Sequence, residues 1–219
     1  RRASHKIYDT NGYSLYVAIA QAGGIPKRLG IAGDNLDALG TKLDDGLDSN
    51  LLVTSAGVSK GDYDVVKNVL VERGEIGFWS VKMRPAKPLA FGVLEGPEGR
   101  LVPHLGLPGN PVSALVAFEQ FGRPAVHKMM GKPATARPTL EAILEDPIYN
   151  DDERRVYARV LVTLRDGVYY AKLTGHQSSN LLTSMVRANG LAICPEDVQK
   201  KDAGEMVTVQ MIDWPEDVF

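Results

Sequence analysis

Two periods run along this chain. From residue 7 to about 131, runs of apolar residues at helical spacing alternate with short extended ones. Leu15, Ile19 and Ala22, with Tyr13, Val17 and Ala20, recur at helical spacing and stop at Gly23-Gly24, which predicts a helix over 11–22. Ile25 to Ile31 reads as a strand, and Leu36 to Leu47 as a second helix after Asp34-Asn35. Leu51 to Ser55 is a short apolar strand of the kind buried on both faces. Asp62 to Arg73 reads as helical and Glu75 to Lys82 as extended. Pro88 to Leu94 and Arg100 to Leu105 flank Glu95-Gly96-Pro97-Glu98-Gly99 as a hairpin. A long helix is predicted from Pro111 to Met130. Strands separated by helices predict an α/β domain with a mainly parallel, doubly wound sheet.

The second half has a period of two. Val156, Ala158, Val160, Val162 and Leu164 alternate with Tyr157, Arg159, Leu161, Thr163 and Arg165. Asp166-Gly167 then makes a two-residue hairpin turn into Val168 to Leu173. Leu140 to Glu145, Leu191 to Cys194 and Met206 to Ile212 read as further strands. Short strands with little helix predict a small all-β barrel or sandwich of about 80 residues. The polar, proline-rich stretch from Gly131 to Pro138 is the expected linker, giving domains over 1–131 and 138–219.

Bulk properties narrow the classes. A chain of 219 residues buries roughly two thirds or more of its unfolded surface and needs no staples. Its 44% hydrophobic and 24% charged residues suit a soluble globular protein, and a formal charge of −2 gives no drive toward nucleic acid or an acidic membrane. The single cysteine, Cys194, cannot form an intrachain disulfide, which fits a reducing compartment. No apolar run approaches the roughly 18 residues of a membrane span, and no apolar core follows the basic start to suggest a secretory signal. The expectation is a cytoplasmic protein.

The loops carry the candidate chemistry. "SAGVSKGDYD", Ser55 to Asp64, joins a buried strand to a helix. Its Gly57-x-Ser59-x-Gly61 has the spacing of a hydrolase nucleophile elbow, a short pattern that nothing else in the chain supports. Alternatively, Ser55, Gly57, Ser59 and Gly61 supply backbone N–H groups and hydroxyls that can approach a phosphate. Asp62 and Asp64 would then suit a phosphate bridged by magnesium, which takes oxygen ligands. Helix-start chemistry accounts for the same two carboxylates equally well. In "LGLPGNPVSAL", Asn110 is a natural N-cap and Pro111 a first helical residue, while Pro108-Gly109 exposes backbone beside a helix start. "KMRPAKP" brings Lys82, Arg84 and Lys87 onto a proline-stiffened segment that suits an oxyanion or a solvated strand edge. The histidines are isolated and, with one cysteine, argue against zinc. "TGHQSSN", Thr174 to Asn180, is either a polar turn or a set of donors reaching into a cleft.

"IYDTN", "GIAGD", "SAGVSKGDYD", "RPAKP", "LPGNPVSAL" and "TGHQSS" occur in this order. Together they resemble the molybdopterin molybdenumtransferases, the family of bacterial MoeA and the gephyrin E domain. The resemblance implies a molybdopterin-binding α/β domain followed by the family's C-terminal β-barrel. It implies insertion of molybdenum from molybdate into adenylylated molybdopterin, with magnesium required and AMP released. Asp34 and Asp64 match the family's carboxylates at the metal and phosphate end. Arg84 stands where many members have lysine, beside Lys87. Pro108, Gly109, Asn110 and Pro111 fall in its LPGNP loop, and Ser179 matches a serine from the barrel. Under this reading Ser59 is a loop contact rather than a nucleophile. The alternative is a binding or scaffold module without turnover; a related adenylyltransferase shares only the α/β domain.

Three departures matter. Ala56 replaces a glycine of the family's Ser-Gly-Gly, and Ala86 the glycine of Lys-Pro-Gly-Lys-Pro. If either position holds φ > 0, alanine there costs about 1 kcal/mol or more. The family's first strand, with its Gly-Asp-Glu-Leu loop, and its two dimer-building N-terminal domains have no counterpart in this sequence. The chain is therefore expected to be the C-terminal portion of a longer protein that is a homodimer.

Overall fold

The structure, a computed structural model, describes residues 8–33, 35–58, 69–133 and 136–214. It divides into two compact units: Arg1–Ser80 with Pro88–Pro133, and Val81–Lys87 with Ala134–Phe219. The segment 81–87 is thus an excursion of the first unit's chain into the second.

In the first unit, helix α1 (Asn11–Gln21) ends where Gly23 turns the chain at φ +91°. Helix α2 (Leu36–Asp44) is capped by Asn35, whose side chain accepts from the Ala38 N–H at 2.8 Å. The sheet contains β1 (Leu52–Ser55), β2 (Gly74–Ser80), β4 (Pro88–Glu95) and β5 (Leu101–Leu107), in the order β1-β5-β4-β2. Only β1 and β5 are parallel; β5–β4 and β4–β2 are antiparallel. A mainly parallel sheet was the wrong expectation for the described residues. The turn at 96–100 reverses the chain between β4 and β5, and the 81–87 excursion returns β4 alongside β2. Beneath the sheet, Leu43, Leu47, Leu52, Val69, Leu70, Leu94 and Val102 form one core cluster.

One further expectation needs correction. Residues 25–31 belong to no strand, and Ile25 and Ile31 are 99% and 73% exposed. The long helix runs as α3 (Pro111–Ala117) and α4 (Arg123–Met129), joined through a π-helical turn at Phe118–Gly122. Pro124 has no N–H to give the preceding turn, and a widened turn just before it accommodates that loss.

The second unit is a closed barrel. Strands β6 (Thr139–Leu144), β8 (Arg155–Arg165), β9 (Val168–Leu173), β10 (Gly190–Cys194) and β12 (Met206–Met211) form the ring β10-β12-β6-β9-β8, closed by the β10–β8 pairing. The short strand β3 (Met83–Arg84) lies parallel to the start of β8, outside the ring. A two-stranded pair, β7 (Ile148–Tyr149) with β11 (Lys200–Lys201), and a single helical turn α5 (Thr183–Val186) complete it. Asp166 and Gly167 turn β8 into β9 at φ 50° and 79°, as the two-residue hairpin requires. Ala142, Leu144, Val160, Ala171, Ala192, Val207 and Val209 fill the interior.

Strand β8 is long because it changes partners. Its first half pairs with β10 and its second with β9. Side-chain amides continue each ladder past its end. Gln177 accepts from the Arg159 N–H at 2.8 Å and donates to the Arg159 carbonyl at 3.2 Å. Asn189 does the same for Val162, at 2.7 and 3.0 Å. Buried backbone groups at the switch are thereby satisfied without another strand.

Candidate functional site

In the first unit, two loops leave the carboxyl ends of the parallel strands β1 and β5. Ser55 pairs with Leu107, and the Ala56 N–H donates to the Leu107 carbonyl at 3.0 Å. Ala56 and Gly57 then take φ of 78° and 77°, turning the chain sharply. Val58 folds back over β5, which is possible because residue 106 is glycine: a Cβ there would lie 3.0 Å from Val58 Cγ1 and 2.9 Å from Ala90 Cβ. Pro108 is buried, whereas Gly109 and Asn110 are exposed. Gly109 faces Ala56 so closely that a Cβ on it would come within 3.2 Å of the alanine methyl.

Asn11 joins the two loops. Its Nδ2 donates to Ser55 Oγ at 2.9 Å and to the Gly109 carbonyl at 2.8 Å. The side chain is buried, and Oδ1 has no hydrogen-bond partner among the described residues. The approach to α1 holds it in place. Asp9 accepts from the Gly12 N–H at 2.8 Å and pairs with Arg28 at 3.2 Å, and the Arg28 guanidinium lies 3.9 Å from the Tyr13 ring centre. The motif "IYDTN" alone assigns Asn11 no role; only the fold brings residue 11 to residues 55 and 109. Asn110 sits at the N-cap of α3 but its side chain makes no capping bond, unlike the expected arrangement.

Asp34, Ser59, Gly61 and Asp64 lie outside the described residues, as does Asp62. Among the described residues no group of three or more His, Cys, Asp or Glu is placed to hold a metal ion. His104, fully buried on β5, shares a 3.0 Å hydrogen bond with Thr54, and burial pushes its pKa down to about 4. It is a neutral core histidine, not a ligand in waiting.

In the second unit, the cationic segment is a closed loop rather than a free strand edge. The Val81 N–H donates to the Lys87 carbonyl at 2.8 Å, the Arg84–Pro85 bond is cis, and Ala86 holds φ 78°. Lys82 and Lys87 are exposed. Arg84 is already engaged: Nη2 donates to the Tyr149 carbonyl and Nη1 lies 3.5 Å from Asp152. Asp152 also pairs with Arg154, which, with Arg84, holds its carboxyl below the usual range.

Ser179, half-buried, belongs to the turn that follows β9, where Ser178 Oγ donates to Asn180 Oδ1 at 2.5 Å. Beneath this turn lies Arg159, 2% exposed, donating from Nε to Ser184 Oγ at 3.3 Å and from Nη2 to the Ser178 carbonyl at 3.4 Å. No carboxylate among the described residues pairs with it, and burial lowers its pKa to about 10. Alternation sets Arg159 on the face of β8 opposite Ala158 and Val160. At Arg159 that face is covered by the 174–184 segment, so the polar run "TGHQSSN" is the available signal.

Comparison with known proteins bears on this arrangement. A family model described as a probable molybdopterin binding domain matches residues 1–128, and one for the MoeA C-terminal region (domain IV) matches 141–212. The chain belongs to the molybdopterin molybdenumtransferase family. A molybdopterin molybdenumtransferase from Nostoc sp. is 35% identical over 194 residues, taking in 87% of this chain and 44% of that protein. Molybdopterin molybdenumtransferase 2 of Mycobacterium tuberculosis is 35% identical over 211 residues, 93% of this chain and 50% of that protein. The crystal structure of a molybdopterin biosynthesis MoeA protein from Pyrococcus horikosii superposes with TM-score 0.78 at 28% identity, covering 96% of this chain and 50% of that one. The chain spans about half the length of these molybdenumtransferase relatives.

Proposed function

We propose that this chain supplies the ligand-binding α/β unit and the barrel of an enzyme that inserts molybdenum from molybdate into adenylylated molybdopterin, releasing AMP. The observation that carries the reading is the meeting of the Ser55–Val58 and Pro108–Asn110 loops at the carboxyl ends of adjacent parallel strands. Open α/β sheets hold their ligands there. Backbone N–H groups of both loops and the Ser55 hydroxyl are suited to the phosphate end of the substrate, and Ser59 and Gly61 are further proposed contacts with it. Gly109 lets the backbone come close to the ligand, and Pro108, Asn110 and Pro111 set the turn that presents it. Arg84 and Lys87 are the proposed cations for molybdate, and Ser179, above the buried Arg159 charge, the proposed hydroxyl contact from the barrel. Asp34 and Asp64 offer the hard oxygen donors that magnesium takes, and when bound that ion would polarise a phosphoryl oxygen. We take the whole protein to be a cytoplasmic homodimer acting on these small molecules, without nucleic acid or membrane.

A second reading is a scaffold or binding module without turnover. Ala56 at φ 78°, with its methyl toward Gly109, favours it, because a methyl there narrows the gap between the two loops.

Equilibrium titration of the chain with adenylylated molybdopterin tests the leading proposal. Saturable binding is expected, weakened about tenfold or more by Gly109→Val, whose side chain fills the space between the loops. A folded chain with no affinity for the ligand would refute it. Asp64→Ala in the full-length protein is expected to reduce magnesium-dependent AMP release; undiminished release removes Asp64 from the role.

A further inference from the structure

We infer that Asn11 is a positioning residue of the ligand site, which turns Ser55 into an outward hydrogen-bond donor and the Gly109 carbonyl away from the ligand. The inference deepens the reading given above and rests on it. An asparagine amide nitrogen carries two protons in one plane, and both are used here, on Ser55 Oγ at 2.9 Å and Gly109 O at 2.8 Å. A serine oxygen that accepts from Asn11 keeps its own proton free to donate, and it donates to no described residue. An oxyanion needs such a donor. A carbonyl oxygen at a phosphate site is repulsive, and the second amide proton occupies the one at Gly109. A single side chain thus adds one donor to the site and neutralises one acceptor.

Packing alone does not account for asparagine at this place. The residue is 8% exposed and its Oδ1 is buried without a partner among the described residues, which costs stability that an apolar side chain would not. Nor does helix capping account for it, because Asp9 takes the Gly12 N–H. The amide also spans long separations in the chain, 44 residues to Ser55 and 98 to Gly109, so it fixes the spacing between two loops that local sequence leaves independent.

The test is binding of adenylylated molybdopterin to the chain and to its Asn11→Ala, Asn11→Asp, Ser55→Ala and Asn11→Ala/Ser55→Ala variants, with thermal unfolding of each. Aspartate keeps the shape but cannot donate, so Asn11→Asp is expected to weaken binding about tenfold or more while remaining folded. Asn11→Ala and Ser55→Ala are each expected to weaken it, and the double variant to be little worse than Asn11→Ala alone, because both remove one donor. Additive losses, losses that merely follow the drop in unfolding temperature, or unchanged affinity in Asn11→Asp would overturn the inference and leave the site reading intact. Failure of the unaltered chain to bind overturns both.

Discussion

Ala56 and Ala86 each hold φ 78°, a conformation that suits glycine. Left-handed backbone costs alanine about 1–2 kcal/mol, against a smaller entropic cost of placing glycine there. The two sites differ in burial, and that decides the outcome. Ala56 is exposed, so Ala56→Gly is expected to stabilise the chain by about 0.5–1 kcal/mol in urea unfolding. Ala86 is 5% exposed, and loss of its packed methyl, about 0.8 kcal/mol, should cancel the gain. A larger gain at residue 86 than at 56 would show that strain is not the controlling term. His104 sets a second residue-scale expectation. Its pKa falls from 6.5 in the unfolded chain to about 4 in the fold, so only the unfolded chain takes up a proton between those values. Stability from this group is complete above pH 6.5 and is lost as pH drops toward 4, by about 3 kcal/mol. Unfolding midpoints measured across that window should fall less in His104→Gln than in the unaltered chain; equal slopes would exclude the histidine. At Arg84, the Asp152 carboxylate competes with any oxyanion. Asp152→Asn should raise molybdate affinity up to about fivefold, the scale of a part-exposed ion pair; a fall would place Asp152 among the supports of the site.

At the scale of elements, most of the chain was legible because hydrophobic period and turn chemistry agreed. Asn11–Gln21, Leu52–Ser55, Val168–Leu173 and the Asp166-Gly167 turn follow the residues that predicted them. The misses have specific physical causes. Ile25 to Ile31 has strand composition, but a strand needs a partner, and composition does not say whether one is present. Val156 to Arg165 alternates as a one-sided sheet does, yet the 174–184 segment covers β8 at Arg159 and buries it, while Leu161, Thr163 and Arg165 stay exposed. The site was legible as loops and not as geometry: Ser55, Pro108 and Gly109 could be named, but the amide joining them comes from residue 11. Side-chain amides also finish the barrel. Asn189→Ala strands the Val162 N–H and carbonyl at the closure, and should cost about 2 kcal/mol in unfolding free energy. An effect below about 0.5 kcal/mol would mean that water replaces the amide.

For the molecule as a whole, the two units differ in how their sheets end. The barrel ring closes on itself through β10 and β8, whereas the first sheet, among the described residues, is open and mixed. Closure removes strand edges and makes the second unit's core self-contained. Strand β3 lends it two ladder positions from outside the ring. A fragment of residues 136–214 is therefore expected to unfold cooperatively with strand-rich circular dichroism, and a non-cooperative melt would show that 81–87 is required. The reading of the first unit stands or falls on the two loops tied by Asn11. Hydrogen exchange of the chain with and without adenylylated molybdopterin reads them directly. The account predicts that ligand protects amides of residues 55–58 and 109–110 more than those of α2. Protection confined to other elements, with those loops exchanging as freely as before, would contradict it.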